Sequence, residues 1–432
     1  MKINYRVLLF VKNWANQNMQ QNKSNNFITR LSSAVINLFE TPWSAAVFSG
    51  LIYMIVSAHF GKLFQQSNFA YYNYLADALL HGQTWLRQTP PVTLDLSLYD
   101  GKYFLYWPPF PAFLLLPFVA IFGIQFNDVF FTLLIGAINV GLIAQLLRKA
   151  CQVEFLRLSK TQRAILVIFF AFGTVHFPLA LSGKVWMTAQ IVGFKCVLLS
   201  YLFALSLKGG KAWFFTGLAL SAAILTRNNL LFTGIFPFVY LIYQPQSRMN
   251  IGEMVKNIGI GILPIILTLT FYLSYNQIRF DNPFETGLTY HLMSTFFQSD
   301  YAHYGAFNLY YIPINIYYQY IFYPFPLRSE SLMGGSLFLL SPLFIGFFFA
   351  FWKPNSKVLT YALLGSVFLT NIPILLLMGT GYAFFGPRYT LDFTVPFLLL
   401  TALGIEKWKS KSLPIIFTLT SVIHYLLGSR IY

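Results

Sequence analysis

The chain has 432 residues, of which 56% are hydrophobic and only 10% charged, with a formal net charge of +16. Soluble domains carry about a quarter of their residues as charges, so this composition excludes one and specifies an integral membrane protein. The basic excess then reflects loop bias and anionic headgroups rather than nucleic-acid binding.

The first 27 residues are polar, with Lys2, Arg6, Lys12 and Lys23, and show no cleavable signal peptide. Residues 28–40 read as an amphipathic interfacial helix, which completes a cytoplasmic N-terminal segment, 1–43. A membrane domain fills 44–432. Spans need about 20 largely apolar residues. They are read near 44–60, 110–126, 128–147, 162–181, 190–206, 212–225, 228–243, 257–274, 334–352, 358–378, 388–404 and 412–428. Several are short, so the fold class is an all-α polytopic bundle of about ten to twelve spans. The 47 Phe and 27 Tyr suit interfacial belts and lipid-facing helices. Cys151 and Cys196 lie in or beside spans, and neither a disulfide nor a metal site is expected from them.

Basic residues orient the bundle. The segments 148–163, 208–211, 248–256 (Arg248, Lys256), 353–357 (Lys353, Lys357) and 407–411 (Lys407, Lys409, Lys411) should be cytoplasmic. The long loops 61–109 and 275–333 then lie outside, with 182–189 and 379–387, in a cell (inner) membrane. One conflict remains. If 110–126 and 128–147 both cross, 148–163 falls outside, which requires a re-entrant helix there or different boundaries. Of the 13 carboxylates, Asp77, Asp95, Asp100, Asp281, Glu285, Asp300 and Glu330 fall in the two long outer loops, and Asp392 near the same face.

Four constellations could carry chemistry. In Ser67–Gly82, Asn73, Asp77 and His81 recur every four residues and share one helical face, beside a stripe of Phe69, Tyr72, Ala76 and Leu79. This is an interfacial helix whose acid either contacts a sugar or is simply solvated. The run Asp95–Pro109 turns at Gly101, and Pro108-Pro109 opens a helix whose first amide needs no partner. It holds Asp95, Asp100 and Lys102 against the mouth of the bundle, although Tyr, Trp and Lys also serve as ordinary interface anchors. Isolated cations come third: Lys184, Arg227, Arg279 and Arg388. Charges at membrane depth are costly and tend to be functional, and Arg pairs bidentately with phosphate. The plain alternative for Arg388 is an i,i+4 salt bridge to Asp392. Fourth, the 275–333 loop mixes Glu285, Tyr290, His291, Asp300, His303 and Tyr304 with the aromatic run from Tyr310 to Tyr323. That mixture suits either sugar stacking or an interfacial helix. His176 reads as a satisfied buried histidine. There is no GxxxxGK[ST] and no convincing GxGxxG, which argues against an ATP-driven pump or a nucleotide-sugar transferase.

The segment Ala76-Asp-Ala-Leu-Leu-His-Gly, the run from Lys102 to Pro109 and Leu225-Thr-Arg227, with weaker support from Arg388-Tyr and Asp392, resemble the multi-spanning glycosyltransferases of the GT-C superfamily. The likeness is to protein O-mannosyltransferases and aminoarabinose–lipid A transferases. It runs from about residue 40 to 240 and recurs around 380–404. Those families place an Asp-Glu pair upstream of the glycine matching Gly82, where this chain has Ser67-Asn68. The resemblance implies a polyprenyl-phosphate sugar as donor, an acceptor hydroxyl on a glycan, lipid or protein, and inversion at the anomeric carbon. Arg227, Arg388 or Lys184 would hold the phosphate, with Lys102, Arg279 and Glu285 as further substrate-binding residues. The base would be Asp100 first, Asp95 second and Asp77 third. No cofactor is required, and no ligand spacing supports a divalent metal. Two other readings stand beside this one: a non-enzymatic carrier or flippase for a lipid-linked glycan, and a surface-polysaccharide polymerase or ligase.

Overall fold

A computed structural model describes residues 30–431, apart from 31, 244–249, 353, 380 and 411. Residues 1–29, and with them most of the expected N-terminal segment, lie outside the described residues, as do Arg248, Lys353 and Lys411.

The described chain is mostly helical. Helix α1 (Ser32–Glu40) meets α2 (Pro42–His59) at 103°, with Pro42 opening α2. Next come α3 (Tyr71–Leu80) and a hairpin of β1 (Ser97–Tyr99) and β2 (Lys102–Phe104). The first half continues with α4 (Phe110–Phe122), α5 (Asp128–Gln152), α6 (Lys160–Phe172), α7 (His176–Ala180), α8 (Val185–Ser206), α9 (Gly209–Ile224) and α10 (Ile235–Tyr243). The second half holds α11 (Ile251–Phe280), α12 (Thr295–Tyr304), α13 (Ile312–Ile316), α14 (Leu337–Leu340), α15 (Gly346–Phe349), α16 (Lys357–Leu376), α17 (Thr394–Ile405) and α18 (Leu413–Gly428). A short parallel pair, β3 (Met333–Gly334) with β4 (Phe384–Phe385), ties the long loop to the chain before α17.

Among the described residues, five segments are long and apolar enough to cross a membrane: α5, α8, α11, α16 and Arg388–Ile405, or six if bent α1–α2 counts as one. Two windows read from hydropathy as single spans are broken helices. Window 162–181 stops at Gly173, where the Thr174 hydroxyl turns back onto the Phe170 carbonyl (2.8 Å), and resumes as the five-residue α7. Window 334–352 starts from Gly334 and Gly335, both at positive φ, and breaks again at Ser341-Pro342.

The crossing conflict resolves at α4. Its 13 residues rise about 20 Å, short of a hydrocarbon core of about 30 Å. The carbonyls just after it, Ile124 and Phe126, accept from Asn73 of α3 at 3.0 and 2.7 Å. Asp128, opening α5, accepts from Ser67. So 61–128 stays at one end of the bundle, and α5 runs back antiparallel to α2, with Gly141 against Pro42 and Ala46 and Gly50 against Ala137. That returns 148–163 to the start of α2, where Arg163 pairs with Glu40. At this basic end the Arg157 amide also donates to Glu406 (3.0 Å) and Lys407 to the Ala350 carbonyl (3.0 Å).

Close backbone approach fixes the packing of α17. A Cβ on Gly404 would run into the Gly346 carbonyl oxygen, whereas one on Gly259 would meet nothing within 4 Å. Backbone cannot yield as a side chain can, so Gly404→Ala should cost about 1–3 kcal/mol. The check is the thermal midpoint of purified protein in detergent: it should fall for Gly404→Ala and hold or rise for Gly259→Ala.

Candidate functional site

Opposite the basic end lies a cavity of about 660 Å³. The loop 61–109 contributes Phe69, Leu94, Asp95, Tyr106, Trp107 and Pro108; the loop 275–333 contributes Leu288, His291 and Phe297; the bundle contributes Lys184, Trp186, Arg227, Phe232, Tyr272, Leu377, Arg388 and Tyr389. The lining is mostly apolar and aromatic, with one group of cations and one acid.

The cations stand where helices begin or stop. Lys184 immediately precedes α8. Arg227 follows α9 in extended backbone and precedes the 3-10 turn Asn228–Gly234. Arg388 opens a second 3-10 turn, Arg388–Phe393. Gly386 makes that turn possible: its φ of +87° suits a residue without Cβ, and Gln190 of α8 then donates to the Arg388 carbonyl at 2.9 Å. Asp392 is 4% exposed. It takes Arg227 at 2.9 and 3.0 Å and Asn229 at 2.8 Å.

The expected i,i+4 alternative, Arg388 with Asp392, is not formed. A 3-10 turn brings i and i+3 into line rather than i and i+4, and Asp392 is committed to Arg227. Arg388, 8% exposed, reaches the Tyr389 hydroxyl at 3.3 Å, and its Nε has no partner among the described residues. The Tyr389 ring lies 4.8 Å from the Arg388 guanidinium and 5.1 Å from that of Arg227, within cation–π range of both. Lys184 has no carboxylate within ion-pair distance among the described residues, and its ammonium lies 5.6 Å over Phe69. Burial first, then the charge of Arg388, pulls its ammonium below the usual lysine value.

The acid side is built by two loops. The Asp95 amide donates to the Leu292 carbonyl and the Leu292 amide to the Leu96 carbonyl, both at 2.8 Å, and Ser97 bridges to His291. This ladder sets Asp95 Oδ1 2.9 Å from His291 Nε2. Asp95 sits at φ +64°, the left-handed region that aspartate tolerates better than most residues. Tyr106 stacks on Trp107 at 3.8 Å and meets the His291 ring edge-on at 4.8 Å. Burial, then the charge of Asp95, holds the Tyr106 phenol well above its usual value, so it stays a neutral hydrogen-bond donor.

The other expected site residues lie elsewhere. Asp100 is exposed at the hairpin tip, where Asp100 (φ +48°) and Gly101 (φ +68°) form a two-residue turn between Tyr99 and Lys102. Lys102 lies over the Trp85 ring at 4.5 Å. Asp77 binds Arg87 at 3.3 Å and His81 at 3.6 Å on the outer surface of α3. On the face expected to be solvated, Asn73 is instead buried and caps the carbonyls after α4. Arg279 is buried, donating to the Leu105 carbonyl (2.7 Å) and Asn276 (2.6 Å), with Tyr275 and Phe280 against its guanidinium. It holds the loop 61–109 on α11. Glu285 braces its own turn through the Gly287 amide and Thr289 hydroxyl, both at 2.6 Å. At Ser67, where the resembled families carry an acid, the neighbouring carboxylate is buried Asp128, which takes the Ser67 amide (2.9 Å) and hydroxyl (2.5 Å) and does not line the cavity.

No protein-family model, curated protein or solved structure matches this chain. Among the described residues, no three His, Cys, Asp or Glu side chains converge as ligands of a metal would. Sequence reasoning named His291 within the long loop but did not join it to Asp95, 196 positions away. In the sequence its one mark is its place beside Tyr290 in an aromatic-rich loop, and nothing there points to Asp95.

Asp392 is the counter-charge that lets Arg227 stay buried. Removing one partner of a buried pair typically costs about 3–5 kcal/mol. Asp392→Ala should lower the unfolding free energy by that order, while Asp100→Asn should change it by less than about 0.5 kcal/mol. Denaturant titration in detergent micelles reads both.

Proposed function

We propose that the protein is a membrane glycosyltransferase of GT-C type that moves a sugar from a polyprenyl-phosphate donor to an acceptor hydroxyl. The observation that carries this reading is the cavity itself. Three cations, Lys184, Arg227 and Arg388, share it with a carboxylate–imidazole pair, Asp95 and His291. Arg388 and Lys184 have no carboxylate counter-ion among the described residues, which suits an anionic ligand. The aromatic lining suits the apolar first units of a prenyl chain and the face of a sugar ring.

In this scheme the acceptor oxygen attacks the anomeric carbon. The bond from that carbon to the phosphate oxygen breaks, and its electron pair leaves with the polyprenyl phosphate. Cations preorganised at the phosphate stabilise the charge it gains. The acceptor proton passes to the Asp95–His291 pair, acting as general base. Attack from the face opposite the phosphate inverts the anomeric centre. Asp95 takes the role assigned first to Asp100, because Asp95 lines the cavity and Asp100 does not. The scheme uses no cofactor.

We place the cavity end on the outer side of the cell (inner) membrane and the N-terminus in the cytoplasm, since the Arg- and Lys-rich segments gather at the opposite end. In a background lacking Cys151 and Cys196, a membrane-impermeant thiol reagent on intact cells should label Asp100→Cys and spare Lys160→Cys. The reverse pattern would invert this orientation.

The enzymatic test uses purified protein in lipid, a panel of radiolabelled polyprenyl-phosphate sugars, and cell-envelope extract as acceptor source. Wild type should transfer label. Asp95→Asn should lose about 10²- to 10⁴-fold in kcat, the usual worth of a general base, Arg388→Ala should lose activity, and Asp100→Asn should keep it. Donor binding without turnover across the panel, unchanged in Asp95→Asn, would instead support the carrier reading.

A further inference from the structure

A second cleft of about 540 Å³ adjoins the first cavity on the outer-loop side. It is lined by Val92–Leu94, His291–Met293, Gln298 and Tyr301. Leu94, His291 and Met293 line both spaces, so the Asp95–His291 pair stands in the partition between them. The partition is held firmly. The Tyr71 hydroxyl donates to the Val92 and Leu94 carbonyls at 2.9 and 2.7 Å, and the Asp95–Leu292–Leu96 ladder closes its other edge.

The cleft differs from the cavity in charge. Among the described residues, no Lys, Arg, Asp or Glu lines it. Its polar groups are the Thr93 hydroxyl, the Gln298 amide, the Tyr301 phenol and the His291 imidazole. The Thr93 and Gln298 side chains make no hydrogen bond to other described side chains or backbone, while the Tyr301 hydroxyl donates to the Leu288 carbonyl at 3.1 Å and keeps its acceptor lone pairs. Neutral donors and acceptors beside an aromatic ring match the hydroxyls and apolar face of a sugar. They do not match a polyanionic acceptor, which would need cations of its own.

We infer that this cleft is the acceptor subsite and takes an uncharged glycan, presenting one hydroxyl to His291 from the side opposite the donor cavity. The inference rests on the transferase reading. It makes the partition the place where the two substrates meet, with the donor phosphate among the cations and the acceptor hydroxyl at the imidazole.

The test measures two ligands on full-length protein in lipid nanodiscs. One is a panel of neutral oligosaccharides of glucose, mannose, galactose and N-acetylglucosamine, read by saturation-transfer NMR; the other is a polyprenyl phosphate, read by tryptophan fluorescence. Gln298 is exposed, so Gln298→Trp fills the cleft without disturbing the core; Thr93→Val removes only a hydroxyl. At least one oligosaccharide should bind wild type and weaken about tenfold or more in Gln298→Trp, about 1.4 kcal/mol or above. Thr93→Val should weaken it less, and Arg388→Ala should leave it intact. Polyprenyl phosphate should show the converse pattern. Oligosaccharide binding that survives Gln298→Trp, or binding by none of the panel, overturns the acceptor subsite. The donor reading then stands or falls separately, on whether polyprenyl phosphate binds and is lost in Arg388→Ala. An oligosaccharide pattern as expected, without polyprenyl-phosphate binding, upholds the glycan cleft and removes the donor reading.

Discussion

The buried pair between Arg227 and Asp392 is the interaction on which the cavity end depends. It links the chain leaving α9 to the 3-10 turn before α17, elements 165 residues apart. Burying a charge without a partner is costly, and Asp392 meets that cost for Arg227 alone. Arg388 sits next to it, separated by the Tyr389 ring, and Lys184 stands close enough for Arg388 to depress its ammonium. The fold thus holds more positive charge in one low-dielectric space than its own carboxylates offset. An anion in this space would offset that surplus, which is the physical basis for the phosphate reading.

The acid side is arranged by backbone rather than by side-chain pairing. Two loops, far apart in the chain, meet in a short antiparallel ladder, and the ladder, with Tyr71 on the Val92 and Leu94 carbonyls, brings Asp95 and His291 together. Arg279 secures the same region from below by holding the Leu105 carbonyl. A buried arginine with no carboxylate partner in view is usually taken for a ligand site. Here two acceptors and two aromatic rings hold its guanidinium, with only Nε left without a partner among the described residues, so it acts as a clamp between α11 and the first loop. The cations of the cavity and this clamp are chemically alike and differ only in what surrounds them.

That difference marks what could be read from the sequence. A lone cation in an apolar run is visible as a pattern, and three of the four singled out, Lys184, Arg227 and Arg388, do converge. Nothing in the pattern says that Arg279 faces Tyr275 and Leu105 instead. The first choice of base shows a second limit. Distance along the chain favours Asp100, which lies nearer Pro108 than Asp95 does. A hairpin reverses that logic: its two feet come together while its tip moves furthest away. Asp95, before β1, and Tyr106, after β2, therefore share the cavity wall, and Asp100 is carried out to the surface by the Asp-Gly turn, which is legible in the sequence although the two strands are not. Two of the span windows, 162–181 and 334–352, break for a related reason. Hydropathy counts apolar residues but not the turns at Gly173 or Ser341-Pro342 that break them.

Charge conservation gives the proposed chemistry a further rationale. Lys184, Arg227 and Arg388 set against Asp95 and Asp392 leave the region with one surplus positive charge, counting His291 as neutral. A sugar joined to polyprenyl phosphate is a phosphodiester and brings one negative charge, so the loaded cavity is neutral. As the sugar leaves, the phosphate becomes a monoester and approaches two negative charges. The acceptor proton arrives on the Asp95–His291 pair in the same step and raises the protein's surplus by one. The two changes cancel, and the cavity stays neutral from substrate to product. A carrier that released its cargo unchanged would have no use for the acid wall, because its ligand's charge would never change. In the proposed scheme the carboxylate–imidazole pair facing the cations is therefore the part a transferase would use and a carrier would not.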